Sequence, residues 1–208
     1  MRTRVIFLIL FLLLSGCGLF STRVPEQPDT SNTFIWTPTT TVDYLLNNFI
    51  GTVQLLDASN YERVFISTID STGGSGSKNF TFVPMPGLDQ SSKSVFTGWT
   101  AQSEQAWLAK LKSLLPAKSQ ISLLLSNEAI DQTSNTANIS ADYTISIPVS
   151  GSSTVIPSVV QGSFQMQALL VTTEQGTKEW RIVSWSDFQP KTNNGNSTWT
   201  NLKVKLSS

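Results

Sequence analysis

The chain has 208 residues, 14 basic and 14 acidic side chains, one cysteine and no histidine. The lack of histidine excludes Ser-His and Cys-His catalysis and zinc sites built on histidine, and a single cysteine cannot close an internal disulfide. A formal charge of zero supplies no basic field for a phosphate backbone, so nucleic acid is not expected as a partner.

At the N-terminus Arg2 and Arg4 precede an unbroken apolar run from Val5 to Leu14, followed by Ser15-Gly16-Cys17. This is the layout of an export signal. The run is about ten residues, roughly 15 Å as a helix, about half of what a bilayer core of roughly 30 Å requires, so a permanent span is not expected. An exported protein seldom keeps a free thiol without a use for it; the competing reading is a small buried cysteine. Leu14-Ser15-Gly16-Cys17 resembles the lipobox of bacterial lipoproteins. The resemblance implies cleavage before Cys17 and acylation of that residue by diacylglycerol and palmitate-type chains, and two or more chains hold a protein stably on a membrane where one does not. Gly18 lacks the aspartate that marks inner-membrane retention in lipoproteins of enteric type, so the resemblance points to the outer membrane, facing the periplasm. Cleavage removes two of the fourteen basic residues and none of the fourteen acidic ones, leaving a formal charge of −2.

The sequence thus divides into a signal peptide (1–16), a lipidated cysteine with a Pro/Ser/Thr tether (17–39) and one domain (40–208). The tether is too polar to fold alone, and Phe34 and Trp36 at its end either dock on the domain as a strap or are spare contacts. In the domain, Val42, Leu45, Leu46, Phe49, Ile50, Val53 and Leu56 predict an amphipathic helix. A second helix is predicted over 60–68, with Ser59 and Glu62 at capping-box spacing. Residues 71–78 read as a Gly/Ser-rich connection, and Phe80, Phe82 and Val83 as a first strand. A third helix is predicted over 101–115, with Thr100 as N-cap, Glu104 in the first turn and Pro116 beyond its end.

After this helix the period falls to two: Ile121 to Leu125, Ala137 to Ile147, Phe164 to Leu170 and Trp180 to Trp185 predict successive antiparallel strands. One face of such a sheet needs a cover, which the three helices supply. A polar loop over 191–198 precedes Trp199, Leu202, Val204 and Leu206, read as a strap or edge strand.

Helices first, then a strand, a helix and long antiparallel strands resemble the nuclear-transport-factor-2-like superfamily, with its SnoaL-like cyclases and ketosteroid isomerases. The residues carrying the resemblance are the link Asp57-Ala58-Ser59-Asn60-Tyr61-Glu62, the strand Phe80-Thr81-Phe82, the last strand Trp180 to Asp187 with its Trp-x-Asp finish, and the extension Thr198 to Lys203. It implies an α+β, cystatin-like cone: a curved antiparallel sheet packed on three N-terminal helices. It also implies a pocket drawing on Phe49, Tyr61, Phe65, Trp107, Tyr143, Phe164 and Trp185, unless these aromatics simply fill the core.

No complete catalytic set is legible, and no cofactor or metal is expected. An isomerase-like reaction needs a carboxylate in an apolar site. Alternation turns Asp142 away from the core, leaving Asp187 as the sole catalytic candidate, with a role as local acceptor for the C-terminal segment as the competing reading. Three functions remain open: a non-catalytic, membrane-anchored cone binding a small apolar ligand or an envelope partner; an isomerase or cyclase of SnoaL type; and a scaffold pairing with a second copy through its sheet.

Overall fold

In a computed structural model of the chain, the residues described are 34–67, 79–149, 156–190 and 197–207. The signal peptide, Cys17, the tether as far as 33, and most of the two polar connections at 71–78 and 191–198 lie outside them. The first helix, α1 (Val42–Gln54), buries Leu45, Leu46, Phe49 and Val53 and is capped by Thr41, whose hydroxyl accepts from the Tyr44 amide at 3.2 Å.

The second helix, α2 (Ala58–Glu62), begins and ends earlier than the sequence suggests. Asp57 caps it in place of Ser59, its carboxylate accepting from the backbone and side chain of Asn60 at 3.1 and 2.8 Å. It stops early because the last strand takes the following backbone: Ile66 N donates to Ile182 O at 2.9 Å and Ile182 N to Val64 O at 2.8 Å.

Next come β1 (Thr81–Val83), α3 (Gln90–Ser94), α4 (Ala101–Leu114), β2 (Ser122–Gln132), β3 (Thr136–Ser146), β4 (Val159–Thr172), β5 (Lys178–Phe188) and α5 (Trp199–Ser207). The short α3 has no buried residue and hence no apolar period to reveal it; only its Asp89 cap is specific. Thr100 and Ser103 form a reciprocal capping box at the start of α4. The C-terminal segment is a helix rather than a strap or edge strand. Its buried residues, Trp199, Thr200, Leu202, Lys203 and Leu206, are linked by steps of three and four, and the alternation of Leu202, Val204 and Leu206 is incidental.

The fold is mixed α+β, with a curved sheet in the order β1-β5-β4-β3-β2. Strands β2 to β5 are antiparallel neighbours, while β1 pairs parallel to β5, Phe82 opposite Trp185. These two strands are not consecutive, so no hairpin fixes their relative direction. The inner face carries Ile139, Ala141, Tyr143, Ile145, Phe164, Met166 and Trp185 against the helices. Among the described residues no helix is long and apolar enough to cross a membrane.

Residues 34–39, assigned to the tether by composition, pack on the domain. The Phe34 ring occupies the space a side chain at Gly51 would need, 2.4 Å from an ideal Cβ there. The Arg63 guanidinium lies 4.1 Å from the Trp36 ring centre, and Thr39 is fully buried, exchanging backbone and side-chain hydrogen bonds with Trp180.

Gly162 is a second glycine fixed by a close approach. It sits in β4 opposite Tyr143 of β3, and a Cβ would lie 2.4 Å from the Tyr143 hydroxyl and 2.6 Å from Phe188 O. The missing side chain lets the phenol cross β4 and reach Asp187 on β5 at 2.7 Å. Gly162→Ala is therefore expected to destabilise the domain by about 1–3 kcal/mol, the usual cost of overpacking, seen as a lower urea midpoint with an unchanged slope. Wild-type stability in this variant would show that the phenol can take another path.

Candidate functional site

The aromatic residues proposed from sequence as pocket walls converge, and the space between them is occupied. Phe49, Tyr61, Phe65, Trp107, Tyr143, Phe164 and Trp185 are each no more than 3% exposed. Trp199 of α5 stands among them, its ring centre 4.7 Å from Trp185, 5.3 Å from Tyr143, 5.8 Å from Phe49 and 6.1 Å from Trp107. The chain's own C-terminal helix thus fills the mouth that a ligand would enter.

Its first turn is held by the sheet. A helix N-terminus leaves free N–H groups that need acceptors. Trp199 N donates to the Tyr143 hydroxyl and Thr200 N to Asp187 Oδ2, both at 2.7 Å, and Asn201 N to Thr198 Oγ1 at 3.3 Å. The Thr200 hydroxyl gives Asp187 Oδ2 a further bond of 2.6 Å, and Tyr143 donates to Oδ1. Asp187, 1% exposed, therefore has both oxygens engaged. Burial pushes its pKa above the ordinary carboxylate value, against the opposing pull of Thr200, Tyr143 and Lys203. Burial likewise raises the Tyr143 phenol, as does the adjacent Asp187.

One turn further on, Lys203 projects into the interior. Its ammonium forms an ion pair with Glu104 of α4, and both side chains are fully buried. Glu104 is oriented by two more donors: Trp99 Nε1 reaches Oε1 at 2.7 Å and the Tyr61 hydroxyl reaches Oε2 at 3.0 Å. The ammonium also lies 3.6 Å from the ring centre of Phe82 and 3.9 Å from that of Trp185, with Trp99 and Trp107 at 5.6 Å. Lys203 is a cation in an aromatic cage with a carboxylate wall. Burial outweighs the Glu104 attraction and lowers its pKa to about 8.

Sequence reasoning singled out Asp187 and missed Glu104 and Lys203. The available signal was a charge on an apolar stripe: Glu104 falls in step with Ala101, Trp107, Leu108 and Leu111, and Lys203 with Trp199, Leu202 and Leu206. Two opposite charges on two buried stripes make a pair. Asp142 lies on the outer sheet face, as alternation requires, and accepts from Asn127 Nδ2 at 2.7 Å.

That outer face carries a groove of about 500 Å³. Its lining includes Asn138, Ser140, Gln165, Gln167, Ser184 and Ser186, a run of amides and hydroxyls without a basic side chain. Among the described residues, no cluster of three His, Cys, Asp or Glu side chains could hold a metal ion.

No family model matches the sequence, and no curated protein matches it. The chain is similar in path to several solved structures. These include a protein of unknown function from Mycobacterium tuberculosis (TM-score 0.48, 11% identity, covering 79% of this chain and 89% of that one). A nuclear transport factor 2-like superfamily protein from Salmonella enterica gives a TM-score of 0.45 at 13% identity, covering 72% and 89%. A protein with a cystatin-like fold from Nostoc punctiforme gives 0.44 at 10%, covering 71% and 86%. Similarity of this size carries no functional weight.

The buried pair makes two predictions. Glu104→Gln leaves an unpaired buried ammonium and is expected to cost about 3–5 kcal/mol in urea unfolding, and adding Lys203→Met should recover part of that loss. An equally unstable double variant would show that the pair is not what Glu104 supports. The pH dependence has a definite sign. In the unfolded chain Lys203 holds its proton to about 10.5, in the fold only to about 8. Between these values the unfolded state binds more protons, so this group's contribution to stability rises with pH across the window and is lost as pH falls back through about 8. Lys203→Met should lack that component when unfolding free energies at pH 7.5 and 9.5 are compared with wild type.

Proposed function

We propose that this chain is a lipid-anchored protein of the bacterial cell envelope, held at Cys17, and that its domain works as a binding module without catalysing a reaction. The observation that carries the second half is the burial of Asp187. A general base needs an accessible lone pair beside an open space, whereas with α5 docked Asp187 is 1% exposed, Oδ1 accepting from Tyr143 and Oδ2 from Thr200. Anchoring rests on the sequence Leu14-Ser15-Gly16-Cys17 after its apolar run. The domain begins to pack at Phe34, so residues 34–39 belong to it and not to the tether. The outer sheet face is the surface offered to an envelope partner, a second copy of the chain included.

One observation favours a second reading, an isomerase or cyclase of SnoaL type: Asp187 is buried beside a tyrosine with its pKa raised, which is the environment of a catalytic carboxylate. That reading requires α5 to leave before substrate enters.

Expression in a bacterial host with an alkyne-labelled palmitate tests the anchor. The wild-type chain is expected to take up label, to fractionate with the outer membrane and to accumulate as an unprocessed precursor when the lipoprotein signal peptidase is inhibited. Cys17→Ala should lose the label; label retained in that variant, or absent from wild type, would overturn the assignment.

A further inference from the structure

We propose that the chamber under α5 is a binding site for an organic ammonium group, and that Lys203 of the chain's own C-terminal helix is its resident, displaceable occupant. This inference rests on the binding-module reading and adds to its outer face an inner site of stated ligand chemistry.

The walls of the chamber come from elements other than α5. Glu104 and Trp107 stand on α4, Trp99 just before it, Phe82 on β1 and Trp185 on β5, with Tyr61 on α2 behind the carboxylate. Together they present one oriented carboxylate and the faces of several electron-rich rings to a single point. That combination recognises an alkylammonium, because the carboxylate supplies the opposite charge and an N–H acceptor while the rings replace water on its other faces. Phosphates and carboxylates are excluded by the negative wall. A purely apolar ligand would leave Glu104 uncompensated in the interior, a cost of several kcal/mol for a buried ion. The ligand proposed for this chamber is therefore cationic, where the sequence suggested a small apolar one.

The indole N–H groups of Trp107 and Trp185 in the wall, of Trp199 on α5 and of Trp36 are all buried without an acceptor among the described residues, so they do not single out the chamber. The helix answers the two carboxylates, through Lys203 and through the Thr200 bonds to Asp187.

The test uses the full chain in detergent, with n-propylammonium as probe, the group that Lys203→Ala deletes, and 1-propanol as its neutral counterpart. In Lys203→Ala, n-propylammonium at about ten times its Kd is expected to raise Tm by roughly 3–6 °C, while the alcohol does not, and Glu104→Gln added to this variant should abolish the shift. Equal stabilisation by the alcohol would mean a plain apolar cavity and would overturn the proposal, as would the absence of any shift in a folded variant. Should Lys203→Ala fail to fold, hydrogen exchange on the wild-type chain decides. The probe must then raise exchange in residues 199–207 while β3 to β5 stay protected; no change, or a rise throughout the domain, sinks the idea. The outcomes separate the two claims: no shift in a folded variant overturns the ammonium site alone and leaves the binding-module reading of the domain standing.

Discussion

The ion pair between Lys203 and Glu104 sets the terms for the rest of the domain, because neither group has any access to water. Moving such ions out of water costs several kcal/mol each, and their attraction offsets this only where geometry is fixed and remaining hydrogen-bonding capacity is met. Glu104 meets the condition through Trp99 and Tyr61, which hold its two oxygens in place. Lys203 meets it with one carboxylate and the faces of Phe82 and Trp185. The lowered lysine pKa records that the compensation is incomplete.

A second carboxylate performs a parallel task at the start of the same helix. Asp187 lies where the first turn offers free N–H groups and a positive dipole end, and it takes the Thr200 amide while Tyr143 takes that of Trp199. This arrangement depends on Gly162, since any side chain there would stand in the path of the phenol. The sheet therefore specifies where α5 begins, and α4 specifies where it points.

Much of this architecture is legible in the residues, and the gaps have physical causes. The period-two runs locate the strands, and the stripes of α1 and α4 locate the main helices, because burial on one face is written directly into the order of apolar residues. The extent of α2 was not legible: Asp57 and Ser59 are both competent caps, and the hydrogen bonds between residues 64–66 and Ile182 belong to a strand more than a hundred residues later. The helical α5 was obscured because Lys203, a buried member of its stripe, reads as a surface charge until its partner is known. For the same reason an acid in the first turn of α4, such as Glu104, reads from sequence as a complement to the helix dipole. The aromatic set was recognisable as a group, but whether it encloses space or protein depends on the position of Trp199, which no local pattern determines.

How firmly α5 is held follows from opposing terms. Trp199, Leu202 and Leu206 each gain about 1.5–3 kcal/mol on burial, and the amides of the first turn gain acceptors. Against this stands the dehydration of Lys203 and Glu104, several kcal/mol per ion before their mutual attraction is counted. Undocking the helix returns both ions to water and recovers that cost, so the free energy of opening is smaller than the apolar area alone implies. Local opening of such an element is set by its buried apolar contacts less this electrostatic cost. Glu104 stays on α4 when the helix leaves. Re-closing the chamber over that carboxylate requires a cation, either Lys203 or a ligand that replaces it.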